Sequence, residues 1–271
     1  MTDDLAPVLV ERHELGAGAV AAVLRLNRPA SLNAIDWDTV RALDGAITEV
    51  DADPTVRALL VTGAGRAFSS GGDLQSYLTL QRDAEAFPRF VADLHRTFGR
   101  LRSLASPVVA LINGVTAAGG LELVLNCDFA LIARSARIGD AHLNFGQMGG
   151  GGVLTLLPRA IGRARANELL FTGRFLDADD AVTWGLASRV VADDELLDAG
   201  LELARDIAAK SPLAIATAKD VLGTLWSANG SVDDGLTYER ERNAEYCLTS
   251  YDAREGLLAF AEKRAPRFEG R

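Results

Sequence analysis

The residues in this sequence best suited to chemistry are two glycine pairs and one acidic side chain. Gly119-Gly120 opens a run, Leu121–Cys127, with helical length and composition, just after the apolar stretch Val108–Ile112 and the break at Asn113-Gly114. The first N–H groups of a helix have no intrahelical partner, and with the positive end of the helix dipole they suit a developing negative charge. Glu122 sits one turn in, among Leu121, Leu123, Val124 and Leu125, and apolar neighbours raise a carboxyl pKa toward the range useful for proton transfer. A second pair, Gly71-Gly72, also falls between an expected strand and an expected helix. An oxyanion hole needs two converging donors, each typically worth about 10²–10³ in rate. Two parallel strand–turn–helix units supply them from one edge of a sheet. A plainer reading stands beside this one: the glycines permit tight corners, and Glu122 complements the helix dipole.

The elements that must hold these turns follow from periodicity. Ala19–Leu26, Val56–Thr62, Val108–Ile112, Phe129–Ala133 and Ser188–Val191 read as strands, and Arg137–Asn144 as a short extended stretch. Trp37–Val50 carries Val40, Leu43, Ile47 and Val50 at helical spacing. Gln75–Arg102 reads as helix with a restart at Phe87-Pro88, and further helices are expected over Val153–Leu157, Ile161–Phe171 and Asp177–Trp184. Gly146–Gly152 (GQMGGGG) has the most flexible composition in the chain. From Asp194 onward the pattern is almost wholly helical: Glu195–Ser211, Pro212–Trp226, Val232–Thr249 and Asp252–Lys263. The alternation predicts an α/β protein built from faintly repeating ββα units, with a helical C-terminal addition and no low-complexity linker. The expected division is residues 1–195 for the core carrying the site and 196–271 for the helical region.

Bulk properties narrow the function. The 271 residues suffice for one large α/β domain or a domain with an appendage, and the formal charge of −9 argues against nucleic acid or an anionic membrane as partner. Two cysteines, Cys127 and Cys247, are too few for a disulfide framework or a zinc cage. The acidic start lacks the charged-then-apolar order of a signal peptide, and no apolar run approaches the ~18–20 residues of a membrane span. A cytoplasmic location is expected. Gly63-Ala64-Gly65 follows a strand, but Phe68 stands where a dinucleotide fingerprint needs its third glycine. No Walker motif and no Gly-x-Ser-x-Gly elbow occurs, and His13, His95 and His142 lack metal-ligand spacing. Nicotinamide, nucleotide hydrolysis, serine esterase and metal chemistry are set aside, and no separate cofactor is expected.

The segments Leu26–Asp36 (LNRPASLNAID), Gly63–Leu74 (GAGRAFSSGGDL), Ile112–Asp128 (INGVTAAGGLELVLNCD), Gly162–Val191 and Tyr251–Gly270 resemble the crotonase superfamily, the enoyl-CoA hydratase/isomerase family. They span nearly the whole chain in the expected order. The resemblance implies a spiral of ββα turns, a C-terminal helical trimerisation region giving a homotrimer or dimer of trimers, and an acyl-CoA thioester as substrate, with coenzyme A arriving as part of it. It places the oxyanion amides on Gly72 and Gly119 and the first catalytic carboxylate on Glu122. CoA contacts fall on Arg28, Ala67, Gly71, Asp73 and Leu74, mostly through the backbone. Lys263 falls where a basic residue reaches CoA phosphate, often on a neighbouring subunit; a solvated helix end is its other reading.

The family's second glutamate is replaced here by His142, and Gly149 stands where a Gly-x-x-Pro-Gly pattern has proline, which implies a looser loop. Histidine titrates near neutrality and can shuttle a proton. Asp140, two residues before it, would share its face of a strand and orient the ring. Enoyl-CoA hydratase-like chemistry through a stabilised enolate is therefore expected. The alternatives are β-diketone C–C hydrolysis or related enolate chemistry using His142, and a non-catalytic acyl-CoA-binding oligomer.

Overall fold

The computed structural model describes residues 6–227 and 232–271; the acidic start, residues 1–5, lies outside them. In chain order the elements are β1 (Val8–Gly16), β2 (Ala19–Leu26), α1 (Trp37–Asp51), β3 (Val56–Gly63), β4 (Ala67–Ser69), α2 (Leu74–Leu80), α3 (Ala86–Ser103), β5 (Val108–Ile112), β6 (Val115–Ala117), α4 (Gly119–Leu125), β7 (Phe129–Ala133), β8 (Arg137–Gly139), α5 (Val153–Ile161), α6 (Arg163–Thr172), β9 (Phe175–Leu176), α7 (Ala178–Trp184), β10 (Arg189–Val191), α8 (Leu196–Ala208), α9 (Pro212–Ser227), α10 (Val232–Thr249) and α11 (Tyr251–Glu262).

The strands form a six-stranded sheet, β1-β2-β3-β5-β7-β10, and a four-stranded one, β4-β6-β8-β9. Within the large sheet only β1–β2 is antiparallel; the other pairs are parallel. Parallel strands covered on both faces read as continuous apolar runs, and Val108–Ile112 is buried at every position. Successive segments β3–β4, β5–β6 and β7–β8 each give one strand to the large sheet, one to the small sheet, and then helix. This is the expected ββα spiral.

The longer elements follow the sequence reading closely. Missing from it were β1 and three short strands of the small sheet, β4, β6 and β9, two or three residues each, which are too brief to carry a period; β8 takes up the first three residues of the expected extended stretch Arg137–Asn144. The long helical stretch after Leu74 breaks into α2 and α3, where Asp83 accepts hydrogen bonds from the backbone N–H groups of Glu85 and Ala86 at 2.9 Å each.

Helix α8 lies against β1, β3, β5 and β7, and its Leu196, Gly200, Leu201 and Ala204 are buried. Residues 196–208 thus share the core of the spiral. Helices α9, α10 and α11 pack on one another. For the site, what matters is that β4, β6 and β8 run parallel, with Ser69 opposite Thr116 after a register shift past Ala67, and Ala117 opposite Gly139. Their C-terminal ends bring three separated pieces of chain to one edge: Gly71-Gly72, Gly119 and Asp140–His142.

Candidate active site

The first two pieces touch through their backbones. Gly71 adopts φ +93°, and a Cβ there would stand 2.7 Å from Ala118 Cβ, 2.9 Å from Ala117 O and 3.0 Å from Gly119 N. Only a residue without a side chain fits. From the other side, Gly72 N lies 3.6 Å from the point where a Cβ on Gly119 would be. Ile35 N donates to Gly71 O at 2.8 Å and Asp73 N to Ile35 O at 3.0 Å. Those two bonds bracket Gly72 and leave its own N–H on the opposite side of the strand. Neither the Gly72 nor the Gly119 amide donates a hydrogen bond among the described residues. Ala118, immediately before α4, takes φ +49° and ψ −115°. Left-handed backbone at a residue with a side chain costs on the order of 1–3 kcal/mol and persists where the surroundings impose it. Here it sets the direction in which the Gly119 amide emerges.

Glu122 follows one turn into α4 and is 1% exposed. Its Oε1 accepts from Gly151 N at 2.8 Å and Val153 N at 3.2 Å, while Oε2 stands 3.9 Å from His142 Nε2. Burial pushes the carboxyl pKa up, against the opposing pull of His142 and the two backbone donors. The glycine tract is what closes over this carboxylate. A Cβ on Gly149 would stand 2.5 Å from Glu122 Oε1 and 2.3 Å from Val153 Cγ1, so the loop approaches because it lacks side chains. Asn126 Nδ2 bonds Glu122 O at 2.7 Å and Gly151 O at 3.2 Å, tying α4 to the tract. A stretch whose composition reads as loose is thus pinned at several points.

His142 opens a 3-10 turn, His142–Phe145, rather than continuing an extended stretch. The strand-face argument for Asp140 does not apply, yet the pairing exists: Asp140 Oδ1 lies 2.6 Å from His142 Nδ1. Asp140 is 1% exposed and the His142 side chain 12%. Burial by itself would lower the imidazole pKa, but the Asp140 hydrogen bond and the charges of Glu122 and Asp140 outweigh it and raise the value.

Tyr77 is the neighbour that the sequence reading missed. Its Cε2 lies 2.6 Å from where a Cβ on Gly72 would stand, and its ring packs edge-on against Phe87 and Phe90, with centroids 5.8 and 5.4 Å away. Burial and the nearby Glu122 charge push its phenol pKa up to about 12. A signal was available: Tyr77 follows the Asp73 cap of α2 by one helical turn, the spacing that returns a side chain toward the preceding turn.

Five of the expected CoA-contact residues gather at the Gly71-Gly72 turn. Arg28 donates to Ala34 O at 2.6 Å and pairs with Asp73 and Asp36 at 3.1 Å each. Asp73 also caps α2 by accepting from Ser76 N at 3.1 Å. These bonds hold its carboxyl below the usual range in spite of its burial. Ala67 is buried, its carbonyl accepting from Asn33 Nδ2 at 2.7 Å, and Leu74 is exposed at the start of α2. Lys263 lies elsewhere in the packing, at the exposed C-cap of α11 with φ +55°.

Two neighbouring amides that donate no hydrogen bond among the described residues, with a buried carboxylate one turn on from the second, are the groups an oxyanion-binding site needs. Comparison with known proteins makes the class specific. The chain matches the enoyl-CoA hydratase/isomerase family over residues 16–271 and belongs to that family. It is similar to the carnitinyl-CoA dehydratase of Salmonella arizonae, 37% identical over 91% of this chain and 94% of the relative. It is 32% identical to the short-chain-enoyl-CoA hydratase of Clostridium acetobutylicum, over 90% and 92% of the two chains. Among solved structures, enoyl-CoA hydratase from Bacillus anthracis superimposes with a TM-score of 0.89 at 31% identity, covering 98% of this chain and all of that one.

Proposed function

We propose that this protein is an enoyl-CoA hydratase, adding water reversibly across the α,β double bond of an acyl-CoA thioester. The amides of Gly72 and Gly119 receive the thioester oxygen, which gains negative charge as the double-bond electrons move toward it. The water proton passes to Glu122 Oε2, the hydroxide oxygen bonds Cβ, and His142 Nε2–H protonates Cα as the enolate collapses. The proton on Glu122 then returns to His142 and restores the starting state. Both protein groups are consumed and regenerated in one cycle, so no cofactor is needed beyond the CoA that the substrate carries.

The observation that carries this reading is the gap of 3.9 Å between Glu122 Oε2 and His142 Nε2. One water at about 2.8 Å from each atom bridges such a gap, and a proton moves across it by that route. The raised carboxyl and raised imidazole pKa values suit a base and an acid working near neutral pH. β-Diketone cleavage at His142 and a purely binding role account less well for a buried base set beside two unpaired amides. We assign Arg28, Ala67, Gly71, Asp73 and Leu74 to the CoA passage and Lys263 to CoA phosphate, supplied across a subunit boundary. A homotrimer or dimer of trimers is supported by apolar side chains left bare on the last helices, Leu248 at 85% and Phe260 at 86% exposed. The division at 195/196 then separates the catalytic spiral from the assembling helices, although α8, on the helical side of it, packs against the strands of the spiral. No helix among the described residues is long and apolar enough to cross a membrane, and the cytoplasm suits a chain with two free cysteines.

The test mixes the protein with enoyl-CoA esters of short to medium chain length and follows loss of the conjugated thioester absorbance. Turnover that depends on Glu122 is the expected result. No turnover at any length, with Glu122→Gln indistinguishable from the parent, overturns the assignment.

A further inference from the structure

Two positions depart from the family's pattern, His142 in place of the second carboxylate and Gly149 in place of the loop proline, and in space they are one feature. A Cβ on Gly149 would stand 3.3 Å from His142 Cε1 as well as 2.5 Å from Glu122 Oε1. The imidazole and the carboxylate share the volume that a side chain at Gly149 would take. On its other side the ring is held through Nδ1 by Asp140, 2.6 Å away and 1% exposed. A carboxylate only accepts, so Nδ1 must donate to it. Nε2 is then the nitrogen that faces Glu122, 3.9 Å from its Oε2.

We propose that Asp140 and Gly149 are positioning residues which allow a histidine to do the work of the family's second carboxylate. Asp140 fixes the ring's orientation and holds the Nδ1 proton, so that the proton the imidazolium gives up is the one on Nε2. Gly149 leaves the space in which ring and carboxylate meet. Resting on the hydratase reading above, this deepens it. The working form of the site is an imidazolium facing a carboxylate, instead of two carboxyl groups that share one proton. Two like acids must divide a proton between them, whereas an acid and a base of different kinds can each be in the correct state at once.

The charged or titratable groups that face His142 are Asp140 from the end of β8 and Glu122 from α4, while the Glu122 charge also acts on Tyr77 from α2. Removing the Asp140 charge therefore lowers the imidazole pKa, since both its hydrogen bond and its charge favour the imidazolium. In a rate that requires the imidazolium, the alkaline limb then moves to lower pH. General acid catalysis is worth about 10²–10⁴, and a misheld acid forfeits part of that. Asp140→Asn is expected to lower kcat about 10–100-fold with little change in KM, and Asp140→Glu to recover part of the loss. In a His142→Ala background, Asp140→Asn should cost less than about threefold, since no ring remains to be held. Gly149→Ala, which leaves the hydrogen bond to Asp140 untouched, should lower kcat by a similar factor without moving the alkaline limb.

The experiment combines pH–rate profiles of these variants with an NMR titration of the His142 ring in the full-length protein, which needs no turnover. A His142 pKa that drops in Asp140→Asn, together with an Nδ1-protonated ring in the neutral parent, supports the proposal even if no enoyl-CoA is hydrated. In that case only the hydratase reading fails. Conversely, hydration with an unchanged His142 titration and an unchanged alkaline limb in Asp140→Asn overturns the role of Asp140 and leaves the hydratase reading intact. Equal losses for Asp140→Asn with and without His142 also overturn it, and a fully active Gly149→Ala removes the role of Gly149. A melting curve for each variant separates these results from failure to fold.

Discussion

Glu122→Gln separates catalysis from stability more sharply than any other single change. The amide keeps the size of the side chain, and its Oε1 still accepts from Gly151 N and Val153 N, 2.8 and 3.2 Å away in the parent. The other end becomes an NH2 group facing His142 Nε2, 3.9 Å away. Two donors then meet where a donor faced a base, and no group remains to take the proton from water. The alternative flip sets the NH2 against two backbone donors and is worse. Losing a general base costs about 10²–10⁴ in kcat, roughly 3–5 kcal/mol of barrier, with KM nearly unchanged. Stability should go the other way. Burial raises the Glu122 pKa, so its contribution to stability is present at acid pH and is lost as pH rises through the folded-state value. At neutral pH the ionised side chain is a net cost, which the neutral amide removes. Steady-state rates on an enoyl-CoA and melting temperatures from pH 5 to 8 check both parts. Activity within threefold of the parent would refute the role of base. A melting temperature that falls at neutral pH would refute the claim that the buried charge is held for function at the expense of stability.

Three further outcomes follow from the same geometry. Gly71→Ala should separate the two turns, because its Cβ would meet Ala118, Ala117 and Gly119 within 3.0 Å; kcat should fall about 10²–10³-fold, as when one oxyanion donor is lost, with a lowered melting temperature. Lys263→Ala should raise KM for CoA esters several-fold, with kcat unchanged and the effect fading at high salt, since one exposed charge interacts weakly through screened solvent; steady-state kinetics at two ionic strengths decide this. Asp252→Ala should destabilise the C-terminal region by about 2–4 kcal/mol, because the buried carboxylate accepts from Ser211 Oγ at 2.6 Å, Glu269 N at 2.7 Å and Gly270 N at 3.0 Å; chemical denaturation measures the loss of stability.

Much of the architecture was legible because long elements repeat their signal. Val108–Ile112 and Phe129–Ala133 occupy the expected residues and α1 extends by only one, since an apolar run of five or a 3.6-residue period over four turns is local information. The strands β4, β6 and β8 are three residues each and exist only because neighbouring turns of the spiral stack. Glu122 and the glycine pairs could be chosen from residue type and context. That Gly72 and Gly119 meet depends on chain separated by 47 positions being brought into register by those same short strands.

The sequence by itself determined the alternation of strand and helix, the family to which the chain belongs, and the residues equipped for chemistry. Only the tertiary structure decided how His142 is held. Asp140 reaches it through a 3-10 turn and not along a strand, and the glycine tract closes over Glu122 instead of staying loose. Tyr77 joins the site for the same reason. Hydrogen-bond direction, burial and the room left by a missing Cβ are properties of packed neighbours far apart in the chain, and no local pattern of residues encodes them.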